Sequence, residues 1–196
     1  MIAAPRLILA STSPHRQMLL ERLGLPFEAL GPAVDESLLE GELPEGRAER
    51  LARAKATAVA AQHPSAIVIG SDQVASLAAA GTARVLRKPG DRGTCRVQLA
   101  AMSGNVARFD TAVAVRLGAR ELVHSEPTLV RFRQLTSAQI EHYMDREPAF
   151  NCAGGFKCEG LGVTLFESMQ TRDPTALVGL PLIWLCEALR GLGLRV

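Results

Sequence analysis

The stretch RLILASTSPHRQMLLERLG (residues 6–24) joins a short apolar run to a cluster of hydroxyl residues, a proline and an arginine. The run ends too soon to be a helix and reads as a buried strand over residues 6–10. The residues after it have the chemistry of a helix start. Ser13 stands at the N-cap position, Pro14 at the first helical position, and Leu19, Leu20 and Leu23 form one apolar stripe. A helix is therefore predicted over 14–23, ended by Gly24. Strand, loop and helix in this order open an α/β fold, and the loop between them is where such folds bind ligands.

Arg16 sharpens that reading. A capping box would place Glu or Gln three residues after the cap, but a cation stands there instead, beside the positive end of the helix dipole. Uncompensated, this arrangement costs about 0.3–1 kcal/mol, and an anion would compensate it. Backbone amides, the hydroxyls of Ser11 and Ser13 and the Arg16 guanidinium together suit a phosphate or carboxylate. A plain strand-to-helix turn with a solvated arginine accounts for the segment equally well on its own. A second apolar run, AIVIG (66–70), delivers Asp72 and Gln73 beyond its end, in the crevice region of an open α/β sheet. An acidic residue there holds Mg2+ or orients a water, or else merely forms a turn.

Elsewhere the pattern predicts an extended segment over 27–31, an acidic turn at Val34-Asp35-Glu36 and a helix from 44 to 62. After Val74 comes a weak Ala/Gly stretch. A helix over 91–102 is capped by Asp91, and strands are predicted over 106–116 and 121–132. A helix over 136–146 starts at Thr136 or Ser137, a Gly-rich hairpin spans 153–166, and a last helix begins after Pro181. Alternating strands and helices indicate α/β. No linker, repeat or low-complexity tract interrupts them.

The chain has 196 residues, 47% hydrophobic and 21% charged, which suits one domain, or one with two lobes, and excludes an intrinsically disordered chain. A net charge of +2, without a basic run interleaved with aromatics, disfavours nucleic-acid polymers as partners. The apolar stretches fall far short of the roughly 20 residues of a membrane span. The first residues carry no signal-peptide pattern, so a cytoplasmic location without membrane association is expected. Cys95, Cys152, Cys158 and Cys186 form no C-x-x-C pair and are expected to be reduced structural thiols. His63, His124 and His142 have no ligand-like spacing. Only three of the 22 basic residues are lysines, namely Lys55, Lys88 and Lys157. Lys55, on the apolar helix LARAKATAVA, is either a snorkelling surface residue or a cation aimed into a cleft. Lys88 lies in the loop signal RKPGD, where a single lysine is commonly just solvated. Both are the point cations that phosphoryl chemistry uses. Phe156 reads as core packing, with a pocket wall as the alternative, Arg131 and Arg133 as a solvated sheet face, and Arg87 as solvent-facing, with an added phosphate contact as the alternative.

Taken together, LILASTSPHR, VDE, ARAKA, IGSDQV, RKPGD, CAGGFKCEGLG and RDPTALVGLPL resemble the Maf family of nucleoside triphosphate pyrophosphatases over nearly the whole chain. GSDQV and CAGGFKCEG are most similar to the YceF branch, associated with 7-methylguanosine triphosphate, whereas other branches favour dTTP and UTP. The resemblance implies a single domain over 1–196 with two lobes around a deep central cleft and a mixed, twisted sheet flanked by helices. It also implies a need for Mg2+ or Mn2+ and cleavage between the α and β phosphates of a house-cleaning substrate. Family members are often dimers, so a homodimer is among its implications.

Residue by residue, Ser11, Ser13, Arg16, Lys55 and Lys88 match the phosphate-binding positions. Asp72 matches the proposed general base, and Glu36 with Asp72 the metal-holding acids. His15, Gln73 and Glu159 match the positions of substrate choice. His15 departs from the branch, which commonly has tryptophan there; a smaller ring offers less π surface to a cationic methylated base. A dTTP or UTP pyrophosphatase is the alternative within the family. A nucleotide-binding regulator of cell division acting through a protein partner is the alternative outside enzymology, and a phosphatase releasing orthophosphate is a third.

Overall fold

The computed structural model describes residues 5–79 and 82–196. In chain order the elements are β1 (Leu7–Ala10), α1 (Pro14–Glu21), β2 (Glu28–Ala29), α2 (Pro44–Ala60), β3 (Ile67–Ala79) and β4 (Thr82–Leu86). They continue with α3 (Arg92–Met102), β5 (Val106–Leu117), β6 (Arg120–Phe132), α4 (Ser137–Arg146), β7 (Phe166–Gln170) and α5 (Leu182–Gly191). The strands lie in the order β2-β1-β3-β5-β6-β7, with β4 also paired to β3. β1 runs parallel to both β2 and β3, Leu7 opposite Ile67 and Ala10 opposite Gly70. β4 is antiparallel to β3, and β7 to β6, so the sheet is mixed, as expected.

By its internal packing the chain divides into two compact units. One comprises residues up to Asp72, Thr111–Glu126 and Asp173–Val196; the other comprises Gln73–Asp110 and Pro127–Arg172. In the first unit, strand alternation sends side chains to two cores. Leu7, Leu9, Ile67, Ile69, Val113 and Val115 pack with Leu19 and Leu20 of α1 and with Leu182, Leu185 and Leu189 of α5. Ile8, Ala10 and Val68 point the other way, onto Val59 of α2. Helices therefore cover both faces, which is why β1 and the start of β3 are apolar at every position.

In the second unit Phe109, Phe132, Phe156 and Phe166 meet edge to face, and Phe156 is core as predicted. Helix ends obey local chemistry. Asp91 accepts the Thr94 amide at 2.9 Å, and Thr136 with Gln139 forms a complete capping box.

Three expectations need correction. The strand over 66–70 does not stop at Gly70: β3 runs on to Ala79, so Asp72 and Gln73 lie within a strand rather than beyond its end. The segment 153–166 is not a hairpin but two short 3-10 turns, 153–155 and 161–165, leading into β7. The weak stretch after Val74 is the rest of β3 and then β4, although residues 80 and 81 lie outside the described residues. All four cysteines are free thiols. No helix among the described residues is long and apolar enough to cross a membrane.

Candidate active site

The site in the first unit begins with a missing side chain. At Gly70 a Cβ would run into the Ala52 carbonyl oxygen and lie 2.5 Å from the Ala56 amide nitrogen, so β3 and α2 touch backbone to backbone there. Two residues along the strand comes Asp72; on the helix, beside Ala56, is Lys55. Their charged groups meet, Lys55 Nζ lying 2.6 Å from Asp72 Oδ1. The same ammonium lies 2.7 Å from Glu36 Oε1. Lys55 and Asp72 are nearly enclosed, with side chains 9% and 12% exposed, whereas Glu36 is 56% exposed. One buried cation thus draws two carboxylates to a common point, and Lys55 is an inward-facing residue rather than a snorkelling one.

The loop after β1 supplies the second part. Ser13 occupies the N-cap position of α1, but its side chain makes no cap bond to the first turn. Its own amide instead donates to Ser11 Oγ at 3.1 Å. Arg16 turns inward: its Nε donates to the Gly179 carbonyl at 2.9 Å, and Ser71 Oγ donates to the same oxygen at 2.9 Å. Burial draws the guanidinium below its ordinary pKa, while Asp72 and Glu36 pull it back up. The arginine and the two acids therefore sense one another electrostatically.

The Gly179 carbonyl is held by a turn that Asp173 organises. This buried carboxylate accepts the Thr175 amide and hydroxyl at 2.9 and 2.6 Å and the Ile183 amide at 2.7 Å at the start of α5. Thr175 Oγ1 also lies 2.8 Å from the Leu180 carbonyl oxygen and accepts the Leu182 amide at 2.9 Å.

Glu36 Oε1 and Asp72 Oδ1 both reach one nitrogen within 2.7 Å. Two carboxylate oxygens converging in this way fit a hard divalent cation. Among the described residues no three His, Cys, Asp or Glu side chains gather to hold a metal. A cation would therefore rest on these two acids and on oxygens brought by a ligand, which is how Mg2+ is commonly bound.

Ser11, Ser13, Arg16, Glu36, Lys55 and Asp72 all belong to this unit, and Lys55 joins Glu36 to Asp72 directly. His15, the second residue of α1, is half-buried. Lys88, Gln73 and Glu159 belong to the other unit: Lys88 is exposed in the loop before α3, Gln73 is half-buried on β3, and Glu159 is exposed in the turn between the 3-10 segments. Sequence reasoning missed Ser71 and Gly179 as contributors. The signal available was the block RDPTALVGLPL, whose Asp-Pro-Thr start is turn chemistry.

Residues 6–192 match the family described as Maf-like protein. A 7-methyl-GTP pyrophosphatase of Xanthomonas oryzae pv. oryzae is 53% identical over 192 residues, covering 98% of this chain and 99% of its own length. A protein of the same name from Bordetella avium is 49% identical over 190 residues, covering 97% of this chain and 94% of its own. Among solved structures, a nucleoside-triphosphatase / dITP/XTP pyrophosphatase from Mycobacterium abscessus aligns with a TM-score of 0.47 at 18% identity, covering 97% of this chain and all (100%) of its own.

Proposed function

The chain belongs to the Maf family, and from that premise we propose that it hydrolyses the α,β-phosphoanhydride of a nucleoside triphosphate, releasing the nucleoside monophosphate and pyrophosphate. The proposed substrate is 7-methyl-GTP, the compound named for its relatives. The observation that carries the reading is the convergence of Glu36 and Asp72 on Lys55. Carboxylates facing a polyanion repel it unless cations intervene. A site that only bound nucleotides would need Asp72 for no more than pairing Lys55 and holding a cation; a hydrolase also needs a base for the attacking water, which Asp72 can supply.

In this reading Arg16 and Lys55 hold the triphosphate with the hydroxyls of Ser11 and Ser13. Two of the three Lys55 donors engage the acids, and the third is what it offers a phosphate oxygen. Asp72 accepts the proton of the attacking water. Glu36 and Asp72 would hold Mg2+ or Mn2+, which supplies charge neutralisation on phosphate oxygens. Lys88 as a phosphate cation, and Gln73 and Glu159 as readers of the guanine edge, are proposed on the family resemblance rather than on geometry. A dTTP or UTP preference is the second reading, favoured by His15 at the position where the branch carries tryptophan.

The test is a nucleoside triphosphate panel containing 7-methyl-GTP, dTTP, UTP and inosine triphosphate, each assayed for pyrophosphate with Mg2+ and with Mn2+. Pyrophosphate from 7-methyl-GTP, lost by about 10²-fold or more in Asp72→Asn, is the expected result. Orthophosphate as product, or undiminished turnover in Asp72→Asn, overturns it. Preference for dTTP or UTP moves the chain to another branch, and His15→Trp run alongside shows whether position 15 sets that preference.

A further inference from the structure

Residues 30–43, between β2 and α2, contain no helix or strand and only a turn at 40–41, yet they carry Glu36. An irregular segment of this length is mobile unless something ties it down. Two arginines one turn apart on α2 do so. Arg47 Nη2 donates to the Glu36 carbonyl at 2.6 Å. Arg50 is used twice: its Nη2 donates to the Ser37 carbonyl at 3.0 Å, and its Nε and Nη2 fork onto Glu42 Oε1 and Oε2 at 2.5 and 2.8 Å. One guanidinium thus grips the residue after Glu36 and the far end of the loop together. The loop adds its own ties. Asp35 Oδ1 accepts the Ser37 amide and hydroxyl at 2.9 and 2.6 Å, and Glu42 Oε2 accepts the Leu39 amide at 3.4 Å.

The fork is more than a solvated surface pair, because the side chains of Arg50 and Glu42 are 30% and 10% exposed. Hydrogen bonding to Arg50 holds Glu42 below its ordinary pKa, and the same bond raises Arg50 above its own. The need for such a clamp arises from the site. Glu36 and Asp72 share one ammonium and would repel each other once phosphate oxygens compete for it. A grip on the backbone of the loop, made from α2 and independent of Lys55, keeps Glu36 in place through that exchange.

We propose that Arg50, assisted by Arg47, is a positioning residue for the hydrolytic reaction: by clamping the 35–42 loop to α2 it fixes the Glu36 carboxylate where, with Asp72, it receives the divalent cation. The inference rests on the reading of Glu36 as a metal-holding residue. Outer partners that orient a metal ligand typically change metal affinity by about 10–100-fold when removed. Arginine is required because its planar fork serves Glu42 and Ser37 at once; a lysine ammonium keeps the charge without that geometry.

The experiment is a Mn2+ titration monitored by the electron paramagnetic resonance signal of free Mn2+, on the wild-type chain and on Arg50→Lys, Arg50→Gln, Glu42→Gln and Glu36→Gln, each checked for folding by circular dichroism. Arg50→Gln and Arg50→Lys are expected to weaken Mn2+ binding by about tenfold, and Glu42→Gln to do so in the same direction. At limiting Mn2+ the kcat of the Arg50 variants falls, and excess Mn2+ restores it with the nucleotide KM unchanged within about twofold. If Arg50→Gln fails to fold, Arg50→Lys decides. Wild-type Mn2+ affinity in folded Arg50→Lys, alongside a weakened Glu36→Gln, overturns the inference alone. Wild-type affinity in Glu36→Gln overturns the metal reading beneath it as well.

Discussion

Lys55 and Asp72 face each other beside the backbone contact of α2 with β3 at Gly70, ammonium to carboxylate at 2.6 Å, in surroundings that leave little of either side chain to solvent. Removing one member of such a pair strands the other's charge in a poorly solvated place, whereas removing both leaves only a packing defect. The pair therefore couples stability to the chemistry of the site.

Lys55→Met is expected to lower unfolding free energy by about 3–5 kcal/mol, because Asp72 and Glu36 are left facing each other. The double variant Lys55→Met/Asp72→Asn is expected to recover part of that loss. Urea denaturation of Lys55→Met, Asp72→Asn and the double variant is the measurement. A double variant as unstable as the sum of its parts would show that the two residues do not interact.

At Gly70 the prediction is steric. A single added methyl at this position meets α2 backbone on two sides, and overpacking of this kind costs about 1–3 kcal/mol. Gly70→Ala should lower the melting temperature and reduce pyrophosphate release beyond what the loss of folded protein explains, since Asp72 moves relative to Lys55. A melt identical to wild type would contradict the backbone contact.

Arg16→Lys keeps the charge and loses the directed N–H to the Gly179 carbonyl. The planar fork that Arg16 would turn to phosphate in the proposed reading is lost with it; a hydrogen bond from a charged donor contributes about 1.5–3 kcal/mol, so the nucleotide KM should rise by roughly tenfold or more. Ser71→Ala removes the other donor to that oxygen and serves as the comparison: a loss of about 1 kcal/mol in stability is expected, with a smaller change in KM. Equal KM in wild type and Arg16→Lys would remove Arg16 from the phosphate-binding set.

For pH dependence the informative group is Cys95, which is fully buried against the Gly155 carbonyl. Burial pushes its thiol from 9.0 up to about 11. The folded chain thus keeps a proton that the unfolded chain has already released, so the stability that this thiol contributes is complete below about pH 9 and lost as pH climbs towards 11. Cys158, pushed up to about 12 by burial, adds to the same decline from about pH 9 and extends it towards 12. Unfolding free energy measured from pH 8 upwards should fall more steeply in wild type than in Cys95→Ala, whose own decline is the part due to other groups.

Much of this arrangement was legible from residue types. Pro14 and the stripe of Leu19 and Leu20 mark α1, Asp91 marks α3, and the Thr136–Gln139 box marks α4. The end of β3 was not legible, because Ser71-Asp72-Gln73 looks like a loop when read alone. The strand carries Ser71 and Asp72 inward because Gly179 and Lys55, supplied from elsewhere in the chain, satisfy them. The glycines at 154 and 155 suggested a hairpin. Both take positive φ, 75° and 76°, and close a 3-10 turn in which a Cβ at Gly155 would come within 2.6 Å of Cys95 Sγ. In the site, Lys55 stood out because lysine is rare in this chain, whereas Arg47 and Arg50 were hidden among nineteen arginines. A backbone acceptor such as the Gly179 carbonyl, 163 residues from Arg16, leaves no mark in residue type at all.

That carbonyl has a further meaning. An oxygen with two lone pairs takes two donors, one from Arg16 in the first turn of α1 and one from Ser71, the neighbour of Asp72 on β3. The turn from Asp173 to Pro181 therefore acts as a common datum for Arg16 and for the strand residue beside Asp72. Displacing the turn is expected to move Arg16 and Ser71 together, because both are tied to it. Libraries meant to alter turnover without dismantling the site have their most economical target in Asp173 and Thr175, the residues that set where this datum lies.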